Sequence, residues 1–139
     1  MPTVSSRKFI IMNQVQKNKE FLIDYANALS GVKKTRELLL QYAEDEKLIE
    51  HIGFFESVFP NYEIFFDEMT GEGNRVVALA RFRGRNDGNF KGFPPTHKNV
   101  EFQFAIGYEI ENNKIVHHWL IADQVALMEQ LGLEAVSAE

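Results

Sequence analysis

Residues 100–122 read VEFQFAIGYEIENNKIVHHWLIA. The alternation of apolar and polar side chains on both sides of Asn112-Asn113 has a period of two, which is the signature of paired strands. Asn tolerates positive φ, so the Asn pair suits a two-residue hairpin turn. Regular pairing from that turn sets Ile110 against Ile115, Tyr108 against His117, Ile106 against Trp119, Phe104 against Ile121 and Phe102 against Asp123. One face then carries Phe102, Phe104, Ile106, Tyr108 and Ile110 with Ile115, His117, Trp119 and Ile121. It is the most apolar surface the chain can make, so it is expected to face a helical layer. The opposite face carries Glu101, Gln103, Ala105, Gly107 and Glu109 beside Val116, His118, Leu120 and Ala122. Its small apolar centre suits either solvent or a second copy of the chain.

Upstream, period-two patterns predict strands over 62–69 and 75–83, separated by Gly71-Glu72-Gly73-Asn74. Before Pro60 the period changes to that of helices. Phe21, Leu22, Tyr25 and Leu29 define a helix over 17–29 that ends at Ser30-Gly31. Leu38, Leu39 and Tyr42 mark a second over 33–42. Asp45 is placed to cap a third over 46–59, with Leu48, Ile52, Phe55 and Phe59 on its buried side and Pro60 as its stop. A final helix is predicted over 124–131 and closed by Gly132. Residues 1–16 read as a lead-in to a single domain over 17–139. Helices first and strands afterwards indicate an α+β fold with helices on one face of an antiparallel sheet.

The 139 residues fit one domain, and 45% hydrophobic content suffices for a core. A net charge of −5 argues against a nucleic-acid partner, which calls for a basic stripe. The chain has no Cys, which excludes disulfides, Cys-ligated zinc and thiol nucleophiles. The apolar run over 9–12 is too short for a signal core or a membrane span, so a cytoplasmic protein with no membrane partner is expected. His117 and His118 are adjacent on a strand and point apart, so they do not form a metal pair. No spaced set of His, Asp and Glu suggests a metal site, and no phosphate-cradling Gly loop precedes a helix.

Several short motifs occur in a fixed order. They are Gly92-Phe93-Pro94-Pro95-Thr96, Lys114-Ile115, Trp119 four residues before Asp123, and Gln130-Leu131-Gly132. Upstream, FFESVFPNYEI (residues 54–64) carries Phe-Pro-Asn. Together these resemble the SnoaL-like polyketide cyclase or ester cyclase family of the NTF2-like superfamily, over roughly residues 17–133. The resemblance implies a cone-shaped, strongly curved antiparallel sheet closed by three helices around a deep pocket. It also implies homodimers through the sheet, ring closure by intramolecular aldol condensation, no metal or organic cofactor, and an acid/base Asp at the position of Asp123. The chain departs from the family's pattern in places. Gly84-Arg85-Asn86 stands where Gly-Thr-His is common, Leu79 and Glu109 stand at frequent Arg positions, and His97 replaces a Gly.

Each candidate has two readings. Asp123 at the end of an apolar pocket would lose hydration, rise in pKa and exchange protons with a carbon acid; as the N-cap of the last helix it would accept N–H bonds and fall in pKa. His117 is a base, donor or orienting partner, or a buried ring satisfied by Tyr108 or backbone. His51 enters the pocket from the third helix or stays half-exposed on it. Arg81 and Arg83 hold a substrate oxygen if they face inward; competition from Val76, Ala78, Ala80 and Phe82 for the interior favours the outward reading. Trp119, Tyr108, Phe102, Phe104 and Phe55 form either plain core or an aromatic pocket for a flat apolar ligand. Two functions follow: a cyclase or isomerase acting on an apolar, carbonyl-bearing small molecule with Asp123 as acid/base, or a non-catalytic NTF2-like binding or interaction module. A third, an epoxide hydrolase or ketosteroid-isomerase-like enzyme, needs a second carboxylate or a Tyr beside Asp123, for which Tyr108 is the candidate.

Overall fold

The computed structural model describes residues 4–122 and 124–133. Helix α1 spans Val4–Leu29, α2 Arg36–Leu40 and α3 Glu46–Val58. Strands β1 (Glu63–Glu72), β2 (Arg75–Arg85), β3 (Asn99–Glu111) and β4 (Lys114–Ala122) follow, and α4 (Gln124–Leu131) ends the described chain. The strands form one antiparallel sheet in the order β1-β2-β3-β4. α1 packs across β1 and β2, and α4 packs against β3. The α+β class and the helical and strand halves are therefore as the sequence predicts.

Two boundaries differ. α1 begins at Val4, so the expected lead-in is helical from that residue onward; no Gly or Pro interrupts residues 4–30. α2 is half the predicted length. The Thr35 hydroxyl caps it by accepting the Leu38 N–H at 3.1 Å, and the chain turns away after Leu40.

The α3 cap forms as predicted: Asp45 Oδ1 accepts the Leu48 N–H at 3.2 Å. The hairpin turn also forms, with Asn112 and Asn113 both left-handed at φ 51° and 59°. The register beyond it does not follow regular pairing. Ile110 faces Ile115, but Glu109 faces His117 and Tyr108 faces His118, so Val116 is one residue too many on β4. This β-bulge reverses the faces of everything after it. His118, Leu120 and Ala122 join Tyr108, Ile106 and Phe104 on the helix side. His117, Trp119 and Ile121 turn to the other side, where Trp119 is 43% and Ile121 75% exposed.

The segment from Tyr42 to Asp45 supplies the physical reason. The Ile115 N–H donates to Tyr42 O at 2.8 Å, and Ile115 O accepts from the Glu44 N–H at 2.9 Å. The α2–α3 linker thus covers the free edge of β4. The bulge next to that contact brings His118 over Asp45, whose Oδ2 lies 2.6 Å from His118 Nδ1.

The core lies between the sheet and the helices, around Leu22, Tyr25, Leu29, Leu48, Phe59, Val76 and Ile115. Lys34 is buried beside it, donating to Val32 O, Tyr62 O and Glu56 Oε1 at 2.7–3.2 Å. The long β2–β3 connection is ordered by Asn86, a buried side chain. Its amide donates to Gly88 O at 2.8 Å and accepts from the Thr96 N–H and hydroxyl at 2.8 and 2.9 Å. The Pro-Pro-Thr segment is pinned in this way.

Candidate functional site

Between the sheet's helix-facing side and α1, α3 and α4 lies a part-open cavity of about 100 Å³. α3 contributes Leu48, His51, Ile52 and Phe55 from one face, at the spacing of successive turns. The sheet contributes Phe82, Phe102, Phe104, Ile106 and Tyr108, with Leu120 and Ala122 from β4. Tyr25 of α1, Tyr62 before β1, Ile64 of β1 and Leu127 of α4 complete the wall. Phe82 stacks on Phe102 at a centroid separation of 4.8 Å, and Phe55 meets Phe82 edge-on at 5.8 Å. The lining is thus aromatic, with polar groups only at a few points.

Those polar groups are three phenols and an imidazole. Burial pushes the hydroxyls of Tyr25, Tyr62 and Tyr108 well above the ordinary tyrosine range, so they are neutral donors or acceptors near neutral pH. Burial, and then the neighbouring His118, lowers His51 below the ordinary histidine value. His118 and Asp45 form a nearly buried pair beside the cavity. Burial alone would raise the Asp45 carboxyl. The His118 hydrogen bond and the backbone N–H groups of Leu48 and Lys47 outweigh it and hold that carboxyl below 3.8.

Of the residues expected to form a site, the structure brings together Phe55, Phe102, Phe104, Tyr108 and His51. It does not add His117 or Trp119, which the Val116 bulge turns to the far side of the sheet. There their rings lie 4.5 Å apart, with the Arg75 guanidinium 5.0 Å from the indole. Arg81 also lies on the far side, bonded to Asp67 at 2.8 Å and Glu101 at 3.4 Å. Arg83 lies there too, on Glu63 at 2.9 Å. The small apolar residues of β2 have taken the interior. Asp123 lies outside the described residues. Sequence reasoning missed the Asp45–His118 pair, because Asp45 read as a cap alone and His118 as an outward residue. A second hollow of about 300 Å³ has a mixed lining that includes Asp67, Glu68, Leu79 and Gln103, and Asp67 is already committed to Arg81.

Among the described residues no cluster of three His, Asp or Glu side chains is arranged to hold a metal ion. No described helix is long and apolar enough to cross a membrane. A family model for SnoaL-like polyketide cyclases matches residues 43–131, more than half of the chain. The chain belongs to the SnoaL-like polyketide cyclase family.

Solved structures agree on the fold. A protein from Jannaschia sp. CCS1, assigned as a SnoaL-like polyketide cyclase, superposes with a TM-score of 0.72 at 19% identity, covering 87% of this chain and 95% of that one. A SnoaL-like polyketide cyclase from Agrobacterium tumefaciens gives 0.67 at 18% identity, covering 83% and 98%. A phenazine biosynthesis-related protein from Pseudomonas aeruginosa gives 0.68 at 17% identity, covering 92% and 93%. At these identities the likeness establishes the NTF2-like fold alone. A search of curated proteins finds no match to the chain.

Proposed function

We propose that this SnoaL-like protein closes a ring in, or isomerises, a small apolar carbonyl compound, using side chains alone as acid and base. The observation that carries the reading is the aromatic cavity with neutral hydroxyls and His51 in its wall. A base removes an acidic C–H proton and leaves an enolate. The enolate carbon attacks a second carbonyl of the same molecule, and the resulting alkoxide takes the proton back, so no cofactor is consumed. A site sheltered from water favours the enolate over quenching. The family resemblance supports Asp123 as that acid/base. Near 100 Å³ the cavity is smaller than a dry cavity of about 150 Å³ that takes benzene, so it receives the reactive end of a substrate rather than a polycyclic body.

The test is α-hydrogen exchange of cyclopentanone in D2O, followed by proton NMR. Wild type should exceed the buffer rate, and Asp123→Asn should reduce the gain by about 100-fold. Saturable binding with exchange at the buffer rate would instead identify a binding module.

The far side of the sheet supports a homodimer. Val77, Leu79, Trp119 and Ile121 are exposed there. Gly107 lies beneath the indole, and charged Arg81, Arg83 and Glu101 surround the stripe. An apolar centre with a charged rim is the pattern of a self-complementary interface. Ile121→Asp should convert a dimer to a monomer in light scattering; a wild type that is monomeric at every concentration overturns this part.

A further inference from the structure

We infer that His51 is the hydrogen-bond donor that takes the carbonyl oxygen of a small ketone in the cavity. The inference rests on the reading of the cavity as a site for carbonyl compounds, and it names the group that recognises the carbonyl.

His51 lies on the cavity face of α3, one turn from Leu48 and Phe55, and its ring is 4.7 Å from Phe55. Neither of its ring nitrogens meets a hydrogen-bond partner among the described residues. The imidazole lines an apolar hollow, and its nitrogens are open rather than sealed in the core, so a ligand oxygen can reach them. His118 stands on the same side of β4 as Leu120 and opposite Tyr108, and both of those line the cavity. Its Nδ1 is fixed 2.6 Å from Asp45, and Asp45 is fixed by the α3 N–H groups. The pair is therefore rigid and anchored to the helix that carries His51.

The chemistry follows from charge. Lining the same cavity are Tyr25 on α1, Tyr62 before β1 and Tyr108 on β3, with Tyr25 and Tyr108 hydrogen-bonded to each other, and the His118–Asp45 pair comes from β4 and the α3 cap. None of the three phenols is ionised near neutral pH. Burial and the His118 imidazole together keep the His51 ring in its neutral form. A neutral imidazole donates one N–H without carrying a net charge into the hollow, which suits a carbonyl oxygen that gains negative charge as the enolate forms.

The experiment binds [1-13C]cyclopentanone to the full chain and reads the carbonyl resonance together with 15N-imidazole signals. Wild type should bind saturably, move the ketone carbonyl downfield and move one His51 nitrogen. His51→Phe should abolish the carbonyl shift while the ketone still binds. His51→Asn, which keeps a donor, should retain part of it. In the free protein His51 should titrate below 6.5, and His118→Gln should move that titration upward. No saturable binding, an unchanged shift in His51→Phe, or a His51 titration indifferent to His118→Gln each overturns the inference. Loss of α-exchange in Asp123→Asn with these shifts intact would separate the base from the donor. Absence of exchange with the shifts present would remove the enzyme reading and leave the carbonyl site standing.

Discussion

Tyr108 stands opposite His118 in the β3–β4 ladder, not opposite His117. That single shift, with Val116 as the extra residue, decides which side chains of β4 meet the cavity. Charge substitutions at neighbouring positions should show it. Leu120→Asp places a carboxylate on the cavity side and should destabilise the fold by at least about 2 kcal/mol. Ile121→Asp lies on the exposed side and should change the stability of the isolated chain by no more than about 0.5 kcal/mol. Urea unfolding of the two variants at low protein concentration reads the difference; a reversed order would restore the unbulged register.

Asp45 holds α3 and His118 at once, and the two tasks can be separated. Asp45→Asn retains a cap acceptor but loses the charge facing His118. Asp45→Ala loses both and should be about 1 kcal/mol less stable than Asp45→Asn. The Asp45 carboxyl sits below its ordinary value of 3.8 in the folded chain. Its contribution is therefore fully present above that value and is lost as the pH falls through the folded value. Wild type should lose stability in acid more steeply than Asp45→Asn, as measured by thermal unfolding over a series of acidic buffers.

Much of this was legible from the residues, for identifiable reasons. Asn112-Asn113 fixes the turn because both residues must be left-handed, and Asp45 marks the start of α3 because a helix leaves N–H groups to be capped. Phe55, Phe102, Phe104 and Tyr108 could be placed together because their spacing matches the period of the element each sits on. His117 and Trp119 could not, since β4's periodicity survives a bulge while its phase does not. The cause of that bulge is a contact of Ile115 with the linker ending at Asp45, about 70 residues away in sequence, which no local pattern records. Arg81 shows the converse: small apolar neighbours on the same strand already pointed it outward, and its partners Asp67 and Glu101 lie there.

The three cavity tyrosines should be visible in alkaline titration. Their hydroxyls are pushed up from 10.0 by burial, so near that pH the unfolded chain releases protons that the folded chain keeps. With folded values raised, the stabilisation is complete below pH 10 and declines as the pH rises past it. The phenolate absorbance of Tyr25, Tyr62 and Tyr108 should therefore appear together with loss of the folded circular dichroism signal. Tyr→Phe variants assign each step. Gradual ionisation of Tyr108 in a chain that stays folded would show its hydroxyl to be open to water.

The long loop between β2 and β3 should depend on Asn86 and Gly88 in distinguishable ways. A Cβ at Gly88 would overlap the Ser57 backbone oxygen, so Gly88→Ala must push the loop off the end of α3, at about 1–3 kcal/mol. Asn86→Ala introduces no clash but leaves the Thr96 N–H and Gly88 O without their partner, and each buried orphan costs about 1–3 kcal/mol. The backbone bonds from Asn86 to Lys98 and from His97 to Asn86 remain in that variant. Hydrogen exchange should then show Asn86→Ala losing protection at Thr96 while the β2 and β3 amides stay protected. Gly88→Ala should instead lose protection at Asp87 and Gly88, whose N–H groups bond Val58 O at 3.1 Å. Equal loss across the whole loop in both variants would mean that it unfolds as one unit, and that Asn86 is one of many equivalent ties rather than the point that holds Pro-Pro-Thr in place.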